Sequence, residues 1–210
     1  MKRRLRHVLA VGVLGLIAGG CVTLTPHQKD TLDDVKRFAD ATSAAYGLMR
    51  IPVTVQPGTS LGIGGVYRQG NFYLSAGALD SGHLTALVAH ELGHYVLGHE
   101  PTTGVSMAEI LKAQELRELD ANAKAVEILV RAKGMSQPQA VRTMVVYLRS
   151  VQSAQNSGQP NAPGHRPPSE EIADLLARFP ASATAGLQSA RDCATARKQA
   201  GDRNDACQCE

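Results

Sequence analysis

Val88-Ala89-His90-Glu91-Leu92-Gly93-His94-Tyr95 carries two histidines and a glutamate in one helical turn. Histidines four residues apart lie one above the other on an α-helix, so both imidazoles can reach a single ion from one face. The glutamate beside the first histidine sits at the edge of that face, within reach of a water on the same ion. H-E-x-x-H on a helix is therefore the pattern that a zinc ion and a general base require. The plain alternative is two histidines and a glutamate on an exposed surface. Against it, Leu84, Leu87, Val88 and Leu92 make this a buried helix, where three polar groups cost free energy unless something satisfies them. The expectation is one zinc ion per chain, with His90 and His94 as ligands and Glu91 as the base.

Outward from this segment, the helical pattern covers residues 80–96, with Asp80 or Ser81 as N-cap and Gly98 followed by Pro101 as the stop. Upstream, residues 51–55 alternate and are β-branched. Residues 63–67 and 72–74 are strand-like and joined by Arg68, Gln69, Gly70 and Asn71, which predicts a small sheet containing a hairpin. Gly62, Gly64 and Gly65 fit turn or bulge positions, because no Lys-Ser/Thr follows to make a phosphate loop. Earlier still, Leu32, Val35, Phe38, Ala39, Thr42 and Ala45 recur with helical spacing up to Gly47. Downstream, a long helix spans 107–133 and closes at Gly134, and another spans 138–151 with Pro138 in its first turn. Residues 152–168 are rich in Ser, Asn, Gly and Pro and read as a loop. A short helix over 169–179 follows, opened by a serine cap with Glu170 and Glu171 in its first turn. The class is α+β, mostly helical, with one small sheet before the H-E-x-x-H helix, in a single domain over 29–180.

Two histidines do not complete a catalytic zinc site, which takes three protein ligands and leaves a position for water. The long helix offers a stripe at helical spacing, Leu111, Glu115, Glu118, Asn122, Ala125 and Leu129, whose apolar face is interrupted by three polar residues. Glu118 lies centrally and is the preferred third ligand, with Glu115 its rival. Asn122, one turn on, is placed to hold a liganding histidine by its other ring nitrogen.

The N-terminus has a different purpose. Lys2, Arg3, Arg4 and Arg6 precede an apolar run over 8–18 and then Gly19, Gly20 and Cys21, the layout of a secretory signal over residues 1–20. The run is about half the ~20 residues a spanning helix needs. Small residues before Cys21 resemble the bacterial lipobox, which predicts lipidation of Cys21 and a polar tether over 21–28; ordinary cleavage leaving a plain thiol is the alternative. Removing residues 1–20 leaves 18 basic against 19 acidic side chains, a net charge of −1, so the basic balance of the whole chain gives no support for nucleic-acid binding. Cys193, Cys207 and Cys209 crowd a tail over 181–210. Closing Cys193 onto Cys207 or Cys209 makes a loop of about 15 residues, worth on the order of 3 kcal/mol in an oxidising compartment.

Several of these blocks together resemble the gluzincins of the HtpX and CAAX prenyl protease family, whose exported bacterial members include lipoproteins. The resemblance covers roughly residues 70–179. It begins with Asn71-Phe72-Tyr73-Leu74-Ser75-Ala76-Gly77-Ala78-Leu79 and continues through Leu84 to His94 and His99. It includes Glu118-Leu119-Asp120-Ala121-Asn122, similar to the family's glutamate-x-x-alanine-aspartate block, and ends with Gly164-His165-Arg166-Pro167-Pro168-Ser169-Glu170-Glu171-Ile172. Asn122 stands where the family has aspartate, Arg166 separates His165 from the prolines, and the 23 residues between His94 and Glu118 leave no room for a transmembrane hairpin.

The resemblance implies a zincin-like domain with Glu118 as third ligand, and an endopeptidase acting on misfolded or unassembled envelope proteins. It also implies a place in the bacterial cell envelope, lipid-anchored and facing the periplasm, with Val22 favouring the outer membrane. By position alone His165 is an exposed loop histidine. By resemblance it joins the catalytic centre, either as a latch on the metal or as an oxyanion donor. His83 and His99 are read as surface or capping residues, and a polypeptide substrate is expected beside the strand at 72–75. The alternative functions are an envelope assembly chaperone with little turnover, against which an intact Glu91 argues, and a structural lipoprotein whose zinc would need four protein ligands. The oligomeric state is left open.

Overall fold

The computed structural model of the chain describes residues 22–57, 64–100, 103–158 and 164–182. Residues 1–20, read above as an export signal, with Cys21, Gly62, Ile63, Pro101 and the tail cysteines Cys193, Cys207 and Cys209, lie outside the described residues. Helix α1, Pro26–Tyr46, opens on a capping box: Thr25 Oγ1 accepts from the Gln28 main-chain N–H at 3.2 Å, and Gln28 Oε1 accepts from that of Thr25 at 3.0 Å. A serine or threonine cap of this kind contributes about 1 kcal/mol. It starts the helix inside the stretch read as tether. The same device, Ser106 with Glu109 and Ser136 with Gln139, opens α3, Met107–Lys133, and α4, Gln137–Asn156. Helix α4 runs five residues past its expected end, so the loop before the last helix is shorter than expected.

Three strands, β1 (Val53–Gln56), β2 (Gly65–Arg68) and β3 (Asn71–Ser75), form one sheet in the order β1-β3-β2. β1 runs parallel to β3 with Val53 opposite Phe72, and β2 runs antiparallel with Gly65 opposite Leu74. The β2–β3 hairpin turns through Gln69 and Gly70, both at positive φ (49° and 74°), as a two-residue turn matched to strand twist requires. Phe72 and Leu74, fully buried, point to the helices.

Residues Ala76–Asp80 form a short 3-10 turn started by the Ser75 hydroxyl, which accepts from the Ala78 N–H at 3.1 Å. Helix α2 is therefore Leu84–Val96, shorter than the expected 80–96, and its N-cap is His83, which makes no side-chain cap bond, rather than Asp80 or Ser81. Helix α5, Pro168–Arg178, begins at Pro168, so Ser169 is its second residue and not its cap. Proline suits the first helical position because its fixed φ and missing N–H cost nothing there.

The fold is thus α+β and predominantly helical. Helix α2 lies in its centre, with α3, α1, α4 and the hairpin packed round it. Val88, Leu92, Leu129 and Met144 are buried between the helices, each contributing roughly 1.5–3 kcal/mol relative to exposure. Among the described residues, no helix is long and apolar enough to cross a membrane.

Candidate metal centre

Helix α2 presents His90 and His94 on one face with their rings 4.8 Å apart, edge to face. Between them Gly93 allows α3 to come close: a Cβ built there would lie 2.7 Å from the carbonyl oxygen of Ala121. This approach brings Glu118 and Asn122 of α3 to the two histidines. His90 Nε2 lies 3.1 Å from Glu118 Oε2, His94 Nε2 lies 3.3 Å from the same oxygen, and the two nitrogens are 3.2 Å apart. Bonds of 2.0–2.1 Å in a tetrahedral zinc site separate neighbouring ligand atoms by about 3.3 Å, so the triangle has the size a zinc ion needs.

The orientation of each histidine is fixed from behind. Asn122, fully buried, places Oδ1 2.9 Å from His90 Nδ1, as expected from the sequence. His94 Nδ1 lies 2.9 Å from Nδ1 of His99. With both Nδ1 atoms donating, the two Nε2 atoms and a carboxylate oxygen converge on one point, an arrangement that suits a cation. In the metal-free chain a proton on His90 takes that place. Burial alone would lower the pKa of His90, but Glu118, hydrogen-bonded to it, with Glu91 and Glu171 holds it up to about 9. Burial would raise that of Glu118, but the bonds to His90 and His94 hold it far below the usual carboxylate range. Burial, with His94 and Arg117 nearby, lowers His99 to about 4, leaving it neutral and able to accept. The buried group His90, His94 and Glu118 can hold a metal ion. Glu115 does not enter it; half-buried, it faces Arg166 Nε at 3.5 Å.

Glu91 is buried beside the triangle, and its Oε2 accepts from the main-chain N–H of Tyr67 at 2.7 Å. The cleft in front, about 370 Å³, is walled on one side by residues 65–69 and on the other by Ile110, Gln114 and Arg117 of α3. This corrects the placement of a substrate beside residues 72–75. β3 is the central strand with both edges paired, and among the described strands only β2 turns a free edge to the cleft.

His99, expected on the surface, is half-buried against His94. The left-handed Gly98 (φ 63°) turns the chain back so that His99 N–H donates to His94 O at 3.0 Å and the ring folds onto its neighbour. His83 lies away from the cleft at the start of α2. His165, expected near the metal only by resemblance, does line the cleft, with Nε2 3.7 Å from Glu118 Oε2 and Nδ1 3.5 Å from Glu171 Oε1. Burial acts to lower its pKa, but the bond to Glu171 and the charge of Glu118 leave it raised.

Three further participants carried little signal in the sequence. Gly93 costs a helix about 1 kcal/mol relative to alanine, so its place inside a buried one was a sign of close approach. Glu171 accepts from Asn122 Nδ2 at 3.0 Å across 49 residues of sequence. Tyr147 of α4 packs its buried ring 6.4 Å from that of His90. Burial, then Glu91, Glu171 and Glu118, push its hydroxyl well above the usual tyrosine range and keep it protonated.

Comparison with protein-family models, curated proteins and solved structures gives no match for this chain. The functional reading therefore rests on the geometry of the centre and on the sequence motifs.

Proposed function

We propose that the chain is a zinc-dependent endopeptidase of zincin-like fold, related to the HtpX and CAAX prenyl protease gluzincins. The observation that carries this is the two-imidazole, one-carboxylate triangle of 3.1–3.3 Å, open to a cleft and flanked by a buried glutamate. Two nitrogens and one oxygen suit zinc, and a three-ligand set suits catalysis better than a closed structural site. A zinc ion held by His90, His94 and Glu118 would polarise a carbonyl and lower the pKa of water to about 7.

Glu91 takes the proton of the attacking water and returns it to the leaving amine. The Tyr67 N–H anchors one of its oxygens, Oε2, and so limits where the other can stand. Because Tyr67 turns its N–H away from β3, Gly65, two residues before it, faces the cleft as well. A polypeptide laid along that edge is recognised through main-chain groups more than side chains. Such recognition fits misfolded or unassembled clients. With lipid on Cys21 the domain would stand on the periplasmic face of an envelope membrane, with Val22 favouring the outer one.

The test is Glu91→Gln. It should retain zinc and the fold while hydrolysis of an unfolded model protein falls by at least about 10². Unchanged turnover would remove the proposed mechanism.

A further inference from the structure

Glu171 is 4% exposed, on the first turns of α5, and has no place in the chemistry just described. Its Oε2 accepts from Asn122 Nδ2 at 3.0 Å, while Oδ1 of the same amide meets His90 Nδ1 at 2.9 Å. We infer that Glu171 is a positioning residue of the metal centre, acting through Asn122 to dictate which ring nitrogen of His90 carries a proton. The inference deepens the zinc reading above and rests on it.

An amide has one donating and one accepting end, and a carboxylate only accepts. Facing Glu171, Asn122 must turn its NH2 group to the carboxylate and its oxygen to His90. His90 Nδ1 is then a donor, and Nε2, once the metal displaces the proton it shares with Glu118, has its lone pair for the ion. With the amide reversed, Nδ1 would have to accept, and a proton on Nε2 would stand where the metal binds. Asn122 is 1% exposed, so water cannot replace either partner. Asparagine alone is ambiguous in polarity, whereas the Asn122–Glu171 pair is not. Glu171 also reaches His165 Nδ1 with Oε1 at 3.5 Å, so the two arms must be separated by experiment.

The separating experiment is a charge swap in the full chain. Glu171→Gln removes the carboxylate. Adding Asn122→Asp restores the same total charge and the same polarity, because an aspartate at 122 accepts from both His90 and the new amide. Zinc dissociation constants by chelator competition should rise about 10- to 100-fold in Glu171→Gln and return to within about threefold of wild type in the double variant. A purely structural residue, or an effect routed through His165, gives no such rescue. In urea unfolding of the metal-free proteins, Asn122→Asp alone, which sets two carboxylates together, should have the lowest midpoint, and the double variant should recover it. The inference is overturned if Glu171→Gln binds zinc within about twofold of wild type, or if the double variant is no tighter than Glu171→Gln. A wild-type chain that binds no zinc would sink the metal reading. The unfolding midpoints would then still decide the polarity: recovery sustains it and additive losses refute it. Should a variant fail to fold, 15N-edited NMR of the metal-free wild type at alkaline pH, where one ring proton remains, decides alone, with that His90 proton expected on Nδ1 and an unprotonated Nδ1 overturning the inference.

Discussion

Gly93→Ala tests whether the α2–α3 approach builds the centre. A helix-interior glycine replaced by alanine ordinarily gains about 1 kcal/mol. Here the new Cβ would meet the Ala121 carbonyl oxygen at 2.7 Å, its Cα at 3.2 Å and its carbonyl carbon at 3.3 Å, all main-chain atoms that cannot rotate away. The helices must part by roughly 0.5 Å, and overpacking of this kind costs about 1–3 kcal/mol. The two effects nearly cancel in stability, leaving a change of about 0–2 kcal/mol, which is a fall of up to about 8 °C in Tm for a domain of this size. They do not cancel at the metal. Gly93 adjoins His94, Ala121 is one turn from Glu118, and metal–ligand distances tolerate only about ±0.2 Å. Zinc affinity should fall at least about 10-fold, measured by chelator competition beside thermal unfolding of the metal-free protein. A variant that melts higher than wild type and binds zinc unchanged would refute the idea that this contact sets the geometry.

The raised pKa of His90 makes zinc compete with a proton, so apparent affinity should weaken by up to about tenfold for each pH unit below about 9, as competition titrations across pH 6–9 would show. A flat profile would contradict it. The sign for stability is opposite. A pKa held up to about 9 in the fold against about 6.5 unfolded stabilises the metal-free protein below about 6.5, and that contribution is lost as pH rises towards about 9. Urea midpoints of metal-free protein should therefore drop over that window. His165→Ala should raise basal cleavage of an unfolded protein with zinc retained, as a latch on the Gly164-to-Pro167 segment requires; a fall of about 10² to 10³ would make it an oxyanion donor instead.

What the sequence made legible was local. Helix α3 occupies the expected 107–133 because Ser106 and Gly134 are self-contained start and stop signals read within one turn. The spacing of His90 and His94 needed only the helical period. Glu118 was preferred over Glu115 by its centrality in a stripe, and the structure puts it against the histidines because Gly93 sets the level at which the helices meet.

What escaped was non-local or decided by competition. Ser75 caps a separate turn and so shortens α2. The central place of β3 depends on a parallel pairing with β1, which no hairpin signal announces. His99 reaches His94 only because of the backbone sign at Gly98, and Glu171 reaches Asn122 only when α5 folds across α3.

Whether His90, His94 and Glu118 hold one zinc ion is decided by metal analysis of the chain purified without chelator. Wild type should carry one zinc per chain, while Glu118→Ala, folded by circular dichroism, should lose most of it. Wild type without zinc, or Glu118→Ala with its full complement, would overturn that assignment.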